Sequence, residues 1–136
     1  MQTIKLTVTP AVPAHEIEVG VVEEKSISTG KAVVVEITDL LNGPTQIRLP
    51  RLSSVESYLE KMGMRGATKE ELEEYFRGYS GEETAVGATR SFYQDEKREW
   101  KYWVFSKNSE TRRDGVYSTD AHYYYGPSRY LAIRTG

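Results

Sequence analysis

Between Val55 and Tyr79 the apolar residues recur three and four apart, whereas on either side of that stretch they alternate with polar neighbours. A chain whose pattern changes from the strand period to the helix period and back must hold strands at both ends and helices between them. Ile4, Leu6 and Val8 alternate, as do Ile17, Val19 and Val21, and Ala32 to Ile37 is a β-branched run flanked by Gly30, Asp39 and Asn42. Pro10 and Pro13 cannot donate to a ladder and separate the first run from the second. Asn42-Gly43-Pro44 is a turn signal ahead of a short fourth strand over Gln46 to Leu49. Residues 1–50 therefore predict an antiparallel β meander.

The middle segment carries its own punctuation. Ser53 and Glu56 have capping-box spacing, and Val55, Tyr58, Leu59 and Met62 then share one helical face before Gly63 stops the helix. Thr68 and Glu71 repeat the cap, Leu72, Tyr75, Phe76 and Tyr79 repeat the face, and Gly78 and Gly81 can end it. Residues 53–80 predict a two-helix hairpin joined by Gly63 to Ala67. Residues 90–136 hold eleven of the fifteen aromatic residues and predict strands near 99–106, 115–118, 121–126 and 129–134, with a polar loop from Lys107 to Gly115. The expected fold is α+β: one domain over residues 1–136, a mainly antiparallel β-sheet packed against the short helical hairpin.

Composition narrows the function. At 136 residues the chain has the size of a single domain, and its 28% charged and 38% hydrophobic residues suit a folded one. With no cysteine there is no disulfide framework, thiolate metal site or cysteine nucleophile. No apolar run approaches the ~20 residues of a membrane span, and the N-terminus lacks the features of a signal peptide, so a soluble, cytoplasmic protein with no membrane partner is expected.

Two helices with a short connection invite a helix-turn-helix reading, but residues 67–90 sum to −3, and a DNA duplex would be repelled there. The glycines are scattered rather than clustered between a strand and a helix, so neither phosphate-loop nor dinucleotide chemistry is signalled and no cofactor is expected. His15 and His122 have no partner at metal-ligand spacing, which argues against a metal site. His15 beside Glu16 and His122 with Asp120 could each act as acid or base, His122 the more so, but without an aligned nucleophile a non-enzymatic role is the expectation.

From Ser91 onward the chain sums to +2, with arginines and lysines interleaved among tyrosines and tryptophans. Ring faces stack on bases, sugars or side chains, and guanidinium forks grip phosphate or carboxylate. The leading expectation is a binding or interaction protein that contacts a partner protein or a small anionic or aromatic ligand through Arg112, Arg113, His122, Tyr124 and Arg129. The alternative is binding of single-stranded nucleic acid or an anionic nucleotide, including sequestration of a nucleotide signal, by the same segment. Steep salt dependence separates a polyanion from a protein partner. The run Tyr123 to Tyr125 places rings on both faces of a strand, from which a homodimer is expected. By analogy, small phage or mobile-element proteins share this size and lack of motifs.

Arg48-Leu49-Pro50 before a helix, Tyr102-Trp103 with Ser106 and Ser109, and the terminal Tyr130 to Arg134 together resemble bacterial domains of C-type-lectin-like fold. The resemblance spans about the last ninety residues and lacks the family's glycine–tryptophan core signatures. It implies a carbohydrate-type ligand-display module.

Overall fold

The computed structural model describes residues 3–8, 15–39, 43–44, 52–108, 115–120 and 129–136. Its strands are β1 (Thr3–Val8), β2 (His15–Ile27), β3 (Gly30–Asp39), β4 (Gly43–Pro44), β5 (Met64–Gly66), β6 (Thr84–Gln94), β7 (Trp100–Lys107), β8 (Gly115–Asp120) and β9 (Arg129–Arg134). The helices are α1 (Leu52–Lys61) and α2 (Lys69–Tyr75). The strands form a single, mostly antiparallel sheet in the order β1-β2-β3-β9-β6-β7-β8, with β4 beside β3 and β5 beside β9. The class is α+β. The predicted strands over Gln46 to Leu49 and over 121–126 lie outside the described residues.

The N-terminal meander forms as its alternation implies, β1 on β2 and β2 on β3, both antiparallel. The C-terminal strand then inserts at the centre, antiparallel to β3 and parallel to β6. From Ala32 to Val35 in β3 and from Tyr130 to Ile133 in β9 every residue is buried, so both sides of the sheet are covered there, which is why each reads as a nearly continuous apolar run. Val33, Val35 and Ile37 of β3 join Tyr130 and Ala132 of β9 in one core with Val55, Tyr58 and Leu59 of α1. Ala32 and Val34 join Leu131 and Ile133 in a second core with Leu72 and Tyr75 of α2 and Phe76 just past its end. Successive strand residues point to opposite faces, so the two helices cover opposite faces of the sheet.

That arrangement corrects the expected helical hairpin. The connection between the helices is not a simple turn, because Met64, Arg65 and Gly66 pair with Arg134, Ile133 and Ala132 of β9. Gly63, at φ +72°, ends α1 in the left-handed conformation, and β5 carries the chain through the plane of the sheet to the other face. Gly66 is held close: a Cβ there would run into Thr89 Oγ1 and Glu56 Oε1.

The two predicted caps diverge. At α2 the capping box is complete, with Glu71 N donating to Thr68 Oγ1 and Thr68 N donating to Glu71 Oε1. At α1 the helix starts at Leu52, so Ser53 lies inside it. Glu56 Oε1 instead accepts from Gly66 N at 3.1 Å and Thr89 Oγ1 at 2.7 Å. The α2 helix is also shorter than its apolar spacing suggests. It ends at Tyr75, yet Tyr79 still meets Phe76 and Phe105 edge-on at 5.3 Å from each.

Glu71 is the polar anchor of this region. It is only 4% exposed, and Arg65 holds both its oxygens at 2.8 Å while Thr29 Oγ1 donates to Oε2 at 2.5 Å. The Arg65 guanidinium, with help from Thr29 and the Thr68 amide, outweighs burial and holds the Glu71 carboxyl down at about 2. One turn on, Glu74 accepts from Ser28 N and Ser28 Oγ at 2.6 and 2.5 Å. The tip of the β2–β3 hairpin is thus clamped to α2.

Candidate functional site

Strand β6 shapes the candidate site. It pairs regularly with β7 from Thr84↔Lys107 to Ala88↔Trp103, and the register resumes at Tyr93↔Lys101. Thr89 to Phe92 therefore lie opposite Tyr102 alone, a bulge that sits where β6 leaves β9 and β5 takes its place. Ser91 braces the bulge: its Oγ donates to Ala88 O at 2.5 Å and accepts from Trp103 N at 2.8 Å. The chain beyond turns through Asp95, whose Oδ1 accepts from Lys97 N and Glu99 N at 2.9 Å. Arg98 there is the one described non-glycine residue in the left-handed region, at φ 60°.

The bulge delivers Tyr93 beside Trp103 on the α2 face of the sheet. The two rings lie side by side, 6.1 Å apart with planes 26° from parallel. Lys69, the first residue of α2, holds its Nζ 4.1 Å from the centre of the Trp103 ring. Together with Thr68, Glu70, Arg90, Ser91 and Phe92 these residues line a shallow groove of about 380 Å³. Tyr93 is 36% exposed, so α2 covers the adjacent core but leaves this platform open. Trp100, at 40% exposed, stands edge-on to Phe92 near the hairpin tip.

Charge around the groove is mixed, with Lys69 and Arg90 against Glu70. Lys69 Nζ reaches Glu73 only at 3.8 Å, and Arg90 Nε reaches Glu56 only at 3.5 Å. By strand alternation Lys101 shares the face of Trp103, one step along β7 and opposite Tyr93. Tyr75, deeper under α2, donates to Glu23 at 2.6 Å; burial and that carboxylate push its phenol up, so it stays protonated.

Of the residues singled out from sequence, Arg112, Arg113, His122 and Tyr124 lie outside the described residues. Arg129 opens β9 and donates from Nε to Glu36 Oε2 at 2.8 Å, so its charge is met within the fold. It lies apart from the residues that line the groove. The side chains of His15 and Asp120 are not among those described. Among the described residues no three His, Cys, Asp or Glu side chains cluster as a metal site would require. No described helix is long and apolar enough to cross a membrane.

Sequence reasoning placed Tyr93 and Trp103 in an aromatic segment but missed Lys69 and Arg90 as their neighbours. The available signal was slight: a lysine just after a cap residue and an arginine in a run of small residues. No protein-family model matches the chain, and comparisons with curated proteins and with solved structures give no significant match.

Proposed function

We propose that this domain is a non-catalytic binding module whose groove beside α2 takes a flat, ring-bearing small ligand. The observation that carries this reading is the pair of neighbouring rings, exposed Tyr93 and half-buried Trp103, beside the cations Lys69 and Arg90. At about 380 Å³ the groove falls in the range of small-molecule sites. Lys69 is a weak occupant of the Trp103 face. An exposed cation–π contact is worth about 0.5–1 kcal/mol, against roughly 1–3 kcal/mol for a base stacked on an aromatic side chain. A ligand ring of that kind displaces the ammonium at little cost.

The same rings serve two other occupants. A sugar, the ligand that the C-type-lectin-like resemblance implies, would stack on Trp103 without needing a cation. A single nucleic acid strand would use both rings, but Glu70, Glu73 and Glu74 on α2 and the net charge of −2 oppose a polyanion. The test is a screen of flat-ring fragments against the isotopically labelled full chain by NMR. Hits are expected to shift the Lys69 and Tyr93 amides and the Trp103 indole, and Trp103→Ala is expected to abolish those shifts. Shifts confined to another face would reject the groove.

A further inference from the structure

Resting on that reading of the groove, we infer that its ligand is a small anion built on a flat ring, a nucleoside monophosphate being the simplest probe of the class. The two cations lining the groove are held less tightly than the paired arginines of the described residues. Arg65, Arg129 and Arg134 each meet a carboxylate at 2.8 Å, while Arg90 meets Glu56 at 3.5 Å through both Nε and Nη2. Glu56 already serves Gly66 N and Thr89 Oγ1 with its Oε1, which leaves its other oxygen for the distant Arg90. The Arg90 side chain is 47% exposed and lines the groove.

Lys69 is similarly poised. Its Nζ rests on Trp103 and stands 3.8 Å from Glu73, so a ring settling on Trp103 pushes the ammonium aside toward the ligand's charged group. Two cations flanking two rings match a ligand with one planar face and one anionic group, the anion held by the Arg90 fork and the Lys69 ammonium. Glu70 at the rim limits how much negative charge enters and can accept an N–H or O–H from the ligand. Phosphate and carboxylate share this chemistry, and the probes below separate ring from anion.

Trp100 and Trp103 are the only tryptophans, so the full chain carrying Trp100→Phe reports on Trp103 alone by fluorescence. AMP, adenosine and inorganic phosphate are titrated at one ionic strength. AMP is expected to quench Trp103 saturably, adenosine to bind about tenfold more weakly, and phosphate alone to leave the emission unchanged. Lys69→Gln and Arg90→Gln, each with an unaltered melting curve, are expected to weaken AMP about tenfold. Equal affinity for adenosine and AMP, or variants that bind AMP as the parent does, would overturn the anionic ligand and leave the groove standing. Silence of Trp103 toward every probe, with fragment shifts still seen in the NMR screen, would overturn the anion inference alone; silence in both would end the groove reading too. Binding of oligodeoxyadenylate much tighter than AMP, with a steep salt slope, would replace the small ligand with a single strand.

Discussion

The centre of the sheet and its β6–β7 end are built from similar apolar and aromatic runs, yet they meet different surroundings. β3 and β9 are covered on both faces, α1 over Val33, Val35 and Ala132 and α2 over Val34, Leu131 and Ile133. Past the β6 bulge, Tyr93 and Trp100 are each at least a third exposed. The difference is one of coverage. α2 is seven residues long and its buried side chains, Glu71, Leu72 and Tyr75, are spent on the centre of the sheet. Tyr93 and Trp103 border only the capped start of α2, at Thr68, Lys69 and Glu70, so richness in aromatics does not by itself mark a core or a site.

The sharpest way to break this contrast is truncation on either side of it. Leu131→Ala, at a fully buried position, is expected to cost about 3–4 kcal/mol in urea unfolding. Trp100→Ala is expected to cost under about 1 kcal/mol, because the ring is already largely hydrated. Equal losses would erase the distinction between the two regions.

Next in size is the anchor under α2. Glu71 titrates at about 2 in the fold against 4.5 when free, and its side chain is nearly buried. A lowered folded value means that the stabilisation is fully present above pH 4.5 and drains away as pH falls toward 2. At about 1.4 kcal/mol per unit this amounts to roughly 3 kcal/mol. Glu71→Gln is expected to lose about 2–3 kcal/mol at neutral pH and to flatten the acid side of the stability profile. An unchanged acid profile in that variant would show that other carboxylates carry it.

Smaller effects probe the bulge and the hairpin tip. Ser91→Ala removes the hydroxyl that ties Ala88 O to Trp103 N and is expected to cost about 1 kcal/mol. The same change should alter the spacing of Tyr93 and Trp103, visible as a shift in near-ultraviolet circular dichroism. Arg98→Gly relieves a side chain from the left-handed region and is expected to raise stability by about 0.5–1 kcal/mol in thermal melts. A loss instead would mean that the Arg98 side chain contributes contacts of its own.

Much of the fold was legible along the chain, and the misses have physical causes. The Thr68–Glu71 box formed because both of its hydrogen bonds close within four residues. The identical spacing at Ser53 and Glu56 misled, because Glu56 is engaged by Gly66 and Thr89 across the fold. Strand β6 escaped notice because its first half, Thr84 to Thr89, is built of small residues without bulky alternation. The reason is steric: a side chain at Gly87 would press on the Tyr102 and Tyr130 rings, 3.2 and 3.3 Å from where its Cβ would lie. β5 was hidden in what looked like a turn, and the groove was hidden with it.

Taken alone, the order of residues set the periods, the second cap, the helix stop at Gly63 and the meander of β1 to β3, all of which rest on neighbours within a few positions or on alternation along one strand. Folding decided which face each helix covers, where β9 inserts, and which lysine and arginine stand beside Tyr93 and Trp103. Those outcomes depend on pairings between segments tens of residues apart, and a local pattern records only that a face is apolar, not what comes to lie on it.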